Sequence, residues 1–140
     1  MTAKQYLKQL INLDLYIKVR QEDYEITLTM ATKKTQILQE IRVQTSQNLH
    51  GREDIAARCA QISIDIDRGT RELIELREEA RDLIDRLDDN RHKAILTLRY
   101  MLGRSWVCIA EEINYTERQI HRLHTEALLA LETIMSVNVT

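Results

Sequence analysis

The stretch IAARCAQISIDIDRGTRELIELREEARDLIDRL, Ile55 to Leu87, decides the fold. Its apolar or small residues are Ile55, Cys59, Ile62, Ile66, Gly69, Leu73, Leu76, Ala80, Leu83 and Leu87. They alternate spacings of four and three without a break, which is the a/d seam of a heptad repeat. The spacing predicts one long helix, a rod of roughly 50 Å at 1.5 Å per residue. Asp67–Arg71 and Asp82–Arg86 place an acid four residues before a base, the favourable order on a helix surface. Gly69 interrupts the seam and costs about 1 kcal/mol relative to alanine, so it marks a bend or a close helix approach.

Such a seam needs a partner. Upstream, Tyr6, Leu7, Leu10, Leu13, Ile17, Tyr24 and Leu28 recur mostly at spacings of three and four, one face of a helix over 2–30. Residues 31–51 lose that rhythm, are rich in Thr and Gln, and end in Asn48-Leu-His-Gly51. They read as a linker or frayed helix. Two arrangements remain open: the 2–30 helix folding back antiparallel onto the rod, or a second copy of the chain.

Composition agrees with a helical reading. The 140 residues include no proline, no phenylalanine and three glycines. A sandwich or barrel of this length needs turn residues about every 8–12 positions, and they are missing. The expected fold class is therefore all-α. The net charge of −2 conceals an asymmetry: Asp65–Asp89 carries ten acids against five arginines, whereas Asn90–Thr125 carries six bases against three glutamates. An acidic rod followed by a basic unit predicts two parts with different partners, 1–88 and 89–140.

Several function classes are disfavoured. Cys59 and Cys108 lack metal-ligand spacing and read as small hydrophobes. The longest uncharged run, Val43–Gly51, is far shorter than the roughly 20 residues of a membrane span. Lys4, Lys8 and Asp14 break up the N-terminal apolar pattern, so no secretory signal is expected there. No phosphate loop, nucleophile pair or zinc motif is present, so neither an enzyme nor a cofactor is expected. His121 and His124 stand three apart without a matching Cys or carboxylate, and no metal site is expected. The chain is expected to be cytoplasmic, with no membrane partner.

The C-terminal third carries the functional signal. Asp88-Asp89-Asn90 ends the rod and supplies N-cap residue types. A short helix follows, with Ala94, Ile95, Leu98, Met101 and Leu102 apolar and Gly103 at its end. Ser105 caps a helix Trp106–Ile113, with Trp106 as a core anchor and Ala110 as the small residue of a steep crossing. Asn114-Tyr115 make a tight turn, and Thr116 with Gln119 forms a capping box for a longer helix. Ile120, Leu123, Ala127, Leu131 and Ile134 face inward. Glu117, Arg118, His121, Arg122 and Thr125 form the opposite stripe, beginning at the helix N-terminus. A recognition helix offers such a stripe to the major groove of double-stranded DNA, where Arg pairs with guanine and Glu accepts from cytosine.

The run Ser105-Trp-Val-Cys-Ile-Ala-Glu-Glu-Ile-Asn-Tyr-Thr-Glu-Arg-Gln-Ile-His-Arg-Leu-His-Thr-Glu-Ala-Leu-Leu-Ala-Leu-Glu132 resembles region 4 of bacterial sigma factors, the helix-turn-helix that reads the −35 promoter element. Ile95-Leu-Thr-Leu-Arg-Tyr100 resembles the preceding helix. By that resemblance Glu117, Arg118, His121 and Arg122 contact bases, while Arg99 and Thr116 contact phosphates. Arg104 and Thr125 are expected to hold phosphates as well. Typical sigma factors carry Arg where Glu117 and His121 stand, which implies a different promoter sequence. Their core-polymerase-binding and −10-reading parts have no counterpart here.

With the rod, Leu98-Arg-Tyr-Met-Leu-Gly-Arg-Ser-Trp106 and Arg118-Gln-Ile-His-Arg-Leu-His124 included, the layout resembles small prophage proteins of Gram-positive bacteria grouped with the ArpU and RinA type late-gene activators. The resemblance implies a coiled-coil hairpin joined to a sigma region 4-like helix-turn-helix. It implies a phage transcriptional regulator that binds promoter DNA and uses its rod for homo-oligomerisation or host RNA polymerase contact. Two other readings fit the same layout: a small terminase-like packaging adaptor, and a coiled-coil adaptor that binds protein alone.

Overall fold

A computed structural model of the chain describes the backbone of residues 1–41 and 47–139, and the side chains of 1–33 and 53–137. The described residues form helices joined by short connections, without a strand. Helix α1 spans Ala3–Ile41, α2 Gln47–Asp85, α3 Asn90–Leu96, α4 Trp106–Ile113 and α5 Glu117–Val139. A π-helical turn, Thr97–Met101, continues α3.

Local chemistry sets these boundaries. Thr2 and Gln5 cap α1 reciprocally: Thr2 N donates to Gln5 Oε1 at 2.9 Å, and Gln5 N to Thr2 Oγ1 at 3.2 Å. This is a capping box that satisfies two otherwise orphaned donors. The Asp89 carboxylate accepts from Arg91 N at 2.8 Å and starts α3. Gly103 adopts φ +69 after the π turn, the left-handed backbone expected at that position.

The expected linker over 31–51 is helical at both of its described ends. Helix α1 continues to Ile41 and α2 already begins at Gln47, with Gly51 inside it; 42–46 lie outside the described residues. Thr and Gln cost only a fraction of 1 kcal/mol each in a helix, and without proline nothing in the run forbids the backbone.

The contacts divide the chain into two units, 15–72 and 1–14 with 73–140. This partition differs from a boundary at residue 88, because the start of α1 and the end of α2 pack with the C-terminal helices. In the unit 15–72, the two helices run antiparallel, with Ile17 beside Gly69 and Arg20 3.5 Å from Asp65. The glycine now has a reason. A Cβ on Gly69 would lie 3.2 Å from Ile17 Cγ1, so the missing side chain permits a close approach. Every seam position from Ile55 to Leu87, the last of them just past the end of α2, is buried or half-buried. Leu28, by contrast, is exposed, with Leu15, Val19, Ile26 and Met30.

In the second unit, Tyr6, Leu7 and Leu10 of α1 share a core with Ala80, Leu83 and Ile84 of α2 and with Ala127 and Leu131 of α5. Arg77 donates to the Met101 carbonyl at 2.8 Å, which satisfies an acceptor at the end of the π turn. That turn also alters the expected apolar face. Its extra residue rotates the chain, so Tyr100 and Met101 are buried while Leu102 is 54% exposed. A smaller core joins Ile95 to Ile109, Ala110, Ile120 and Leu123, holding α3 and α4 against α5.

Candidate nucleic-acid interface

The α4–α5 pair is built from three local devices. Ser105 Oγ accepts from Cys108 N at 3.2 Å and caps α4. Asn114 ends α4 at φ 64, ψ 41, left-handed values that asparagine tolerates better than most side chains. Tyr115 N then donates back to the Ala110 carbonyl at 3.0 Å. Thr116 N donates to Gln119 Oε1 at 2.9 Å, and Gln119 N to Thr116 Oγ1 at 3.2 Å. The α5 N-terminus is thereby fixed by the same Thr-x-x-Gln box as α1.

Burial separates the two faces of α5. Ile120, Leu123, Ala127 and Leu131 are buried, whereas Glu117, Arg118, His121, Arg122 and Thr125 are all exposed. The stripe read from sequence is therefore one solvent-facing surface. Arg122 Nε lies 3.3 Å from Glu126 Oε1, with Arg122 81% exposed. A pair so exposed is worth little, so the guanidinium is readily released to a stronger acceptor. Thr125 donates its hydroxyl to the His121 carbonyl at 3.0 Å, a bond it must exchange in order to donate to a phosphate oxygen.

Around Trp106 the remaining site residues meet. The Arg99 guanidinium lies over the indole at 4.5 Å and donates to the Arg104 carbonyl at 3.1 Å. The rings of His121 and His124 approach the indole at 4.8 and 4.6 Å. Trp106 is half-buried beside the smaller core, consistent with an anchor. His124 is buried and lies 2.8 Å from the Tyr100 hydroxyl through Nε2. Its burial, then the charges of Lys4, His121 and Arg99, hold its pKa down at about 4, so the ring is neutral near pH 7. Burial also pushes the Tyr100 hydroxyl up.

Three further cations belong to this surface, and sequence reasoning did not single them out. Lys4 and Lys8 of α1 line a cavity of about 280 Å³ together with Arg99, Trp106, His121 and His124. On the other side of α5, Arg91 lines a cavity of about 180 Å³ with Tyr115, Gln119, Arg122 and Leu123. Arg91 is anchored by Asp89, Nη2 to Oδ2 at 3.0 Å, and its hydrogen bonds hold the Asp89 carboxyl down at about 2. No motif signals Lys4 or Lys8, because their neighbours lie about a hundred residues away in sequence. Arg91 was legible only as part of the basic count in 90–125.

Cys108 is exposed rather than packed as a small hydrophobe, and Cys59 is half-buried; both are free thiols. Among the described residues, no group of three His, Cys, Asp or Glu side chains is placed to hold a metal. Nor is any described helix long and apolar enough to cross a membrane.

A family model, Protein of unknown function (DUF1492), matches residues 34–132, more than two thirds of the chain. The chain belongs to the DUF1492 family. The DUF1492 match takes in all of α2, α3 and α4 and the exposed stripe of α5, and leaves Lys4 and Lys8 outside it. No curated protein and no solved structure matches the chain.

Proposed function

We propose that this DUF1492 protein is a phage-type transcriptional regulator that binds double-stranded promoter DNA through a sigma region 4-like helix-turn-helix. In this reading α4 and α5 are the paired helices, and the α5 N-terminus enters the major groove. Arg118, His121 and Arg122 read base edges, helped by Glu117. Arg99, Arg104, Thr116 and Thr125 hold the flanking phosphates. The protein acts in the cytoplasm, without catalysis. The helices upstream act as a coiled-coil hairpin that carries oligomerisation or an RNA polymerase contact, for which the exposed Leu15, Val19, Ile26 and Met30 supply apolar surface.

The observation that carries the reading is the stripe itself. Five polar side chains stand exposed on a rigidly capped helix, and its opposite face is occupied by the core. Cations flank the stripe on both sides, from Arg91 to Arg99 and Lys4, which is the electrostatic footprint of a phosphate-binding surface. Selection of bound duplexes from a random pool by the full chain tests it. Enrichment of a defined motif is expected; a pool that stays random overturns the proposal.

A further inference from the structure

The cavity beside Trp106 draws on both ends of the chain. Lys4 and Lys8, four residues apart on α1, share one helix face and stand exposed at its first turns. Opposite them are Arg99 of the π turn and His121 of the α5 stripe, with Ile11, Tyr100, Trp106 and His124 completing the wall. Three permanent cations thus face a concavity that, among the described residues, no carboxylate lines. Like charges concentrated in a cleft with apolar walls raise the local potential and attract an anion.

The geometry of the wall selects the form of the anion. Arg99 already spends one donor on the Arg104 carbonyl and one face on Trp106, so it is held in place, with further N–H groups left over. His121 belongs at once to this wall and to the stripe facing the groove. A group bound here therefore sits directly beside whatever α5 contacts. We propose that Lys4, Lys8 and Arg99 form a cradle for a backbone phosphodiester of double-stranded DNA, which makes the first helix of the chain part of the DNA-contacting surface. The inference rests on the DNA-binding reading above and extends it to two residues outside the helix-turn-helix.

The test is binding by the full chain, measured by fluorescence anisotropy over a salt series, on a selected duplex and an unrelated one. Each phosphate neutralised contributes about 0.9 to the slope of log K against log salt. At about 0.1 M salt, losing one such contact weakens binding by about tenfold. Lys4→Gln/Lys8→Gln is expected to weaken both duplexes by that factor or more and to flatten the slope by about 1–2. Lys4→Arg/Lys8→Arg is expected to keep the wild-type affinity. Lys33→Gln/Arg68→Gln removes the same charge outside the cavity and controls for net charge; circular dichroism confirms that each variant is folded. A Lys4→Gln/Lys8→Gln variant that binds as tightly as this control, with an unchanged slope, overturns the cradle and leaves the DNA reading standing. A wild-type chain that binds neither duplex at low salt overturns the DNA reading, and the cradle with it.

Discussion

Acidification tests how the fold holds His124. The ring is 7% exposed, accepts or donates one hydrogen bond with Tyr100 at 2.8 Å and stands edge-on to Trp106. Its pKa drops from 6.5 to about 4, chiefly through burial, with Lys4, His121 and Arg99 adding repulsion. Between those two values the unfolded chain carries a proton that the folded chain lacks. Stability therefore rises with pH across the window: it is complete above 6.5 and is lost as the pH falls towards 4. At 1.36 kcal/mol per unit the whole window amounts to about 3 kcal/mol. At pH 5 roughly 1.5 units have been crossed, and solvent screening at the cavity wall reduces the loss to about 1–2 kcal/mol.

The assay is urea unfolding followed by the fluorescence of Trp106, the only tryptophan, at pH 7 and pH 5. With a slope of about 1–3 kcal/mol per molar urea, the midpoint is expected to fall by roughly 0.5–1 M. Asp89 does not interfere, because its depressed pKa of about 2 withdraws stability only as the pH falls below about 4. His124→Gln removes the titrating ring. It is expected to be less stable at pH 7, where a buried hydrogen bond and packing are lost, but to respond little to the change to pH 5. Equal midpoint shifts in wild type and variant would refute the assignment.

Four other outcomes follow from particular contacts. Gly69→Ala gains about 1 kcal/mol of helix propensity against a squeezed contact with Ile17, so its melting temperature should barely move. Gly69→Leu should lose about 1–3 kcal/mol, and a chain as stable as wild type would show that the helices are not close there. Asn114→Ala, at φ 64, is expected to cost about 1–2 kcal/mol in thermal unfolding while Asn114→Gly does not. Thr116→Ala breaks the α5 capping box and should cost about 1 kcal/mol, whereas loss of DNA binding without any loss of stability would locate Thr116's role in the complex alone. Arg118→Ala or Arg122→Ala should cost about 1–3 kcal/mol on the selected duplex and relax base preference; an equal loss on all duplexes would assign these residues to phosphates.

Much of the helical layout was legible because it depends on local chemistry. The seam from Ile55 to Leu87, the Ser105 and Thr116 caps, and the left-handed positions at Gly103 and Asn114 all follow from side chains within four residues of one another. The stripe of α5 was legible for the same reason, since one helical face is fixed by spacing alone. Where the reading departed from the structure, the deciding term was non-local or irregular. The run 31–51 lacks a strong pattern and reads as a linker or frayed helix, yet its described ends, 31–41 and 47–51, are helical, because weak propensity does not by itself break a helix. The π turn at Thr97–Met101 shifts the apolar face by one residue, which no regular period anticipates. Gly69 needed its partner Ile17 before its role could be stated.

The charge pattern shows most clearly what a linear reading leaves out. Counted along the chain, positive charge begins after Asn90 and the upstream helices are a separate, acidic part. In space, the first turns of α1 pack with α5 through Tyr6, Leu7 and Leu10, and that packing carries Lys4 and Lys8 to the wall that His121 shares. A surface assembled this way divides the work of the proposed complex. In that proposal the stripe on α5 would discriminate among sequences, since base contacts and not phosphate contacts carry sequence information. The cradle would add affinity that is indifferent to sequence and sensitive to salt. The two kinds of variant should therefore separate cleanly: Arg118→Ala changes which duplex is preferred, and Lys4→Gln/Lys8→Gln changes how tightly every duplex is held. A lysine variant that altered base preference would mean that α1 positions α5 in the groove, and the division of labour would fail at that point.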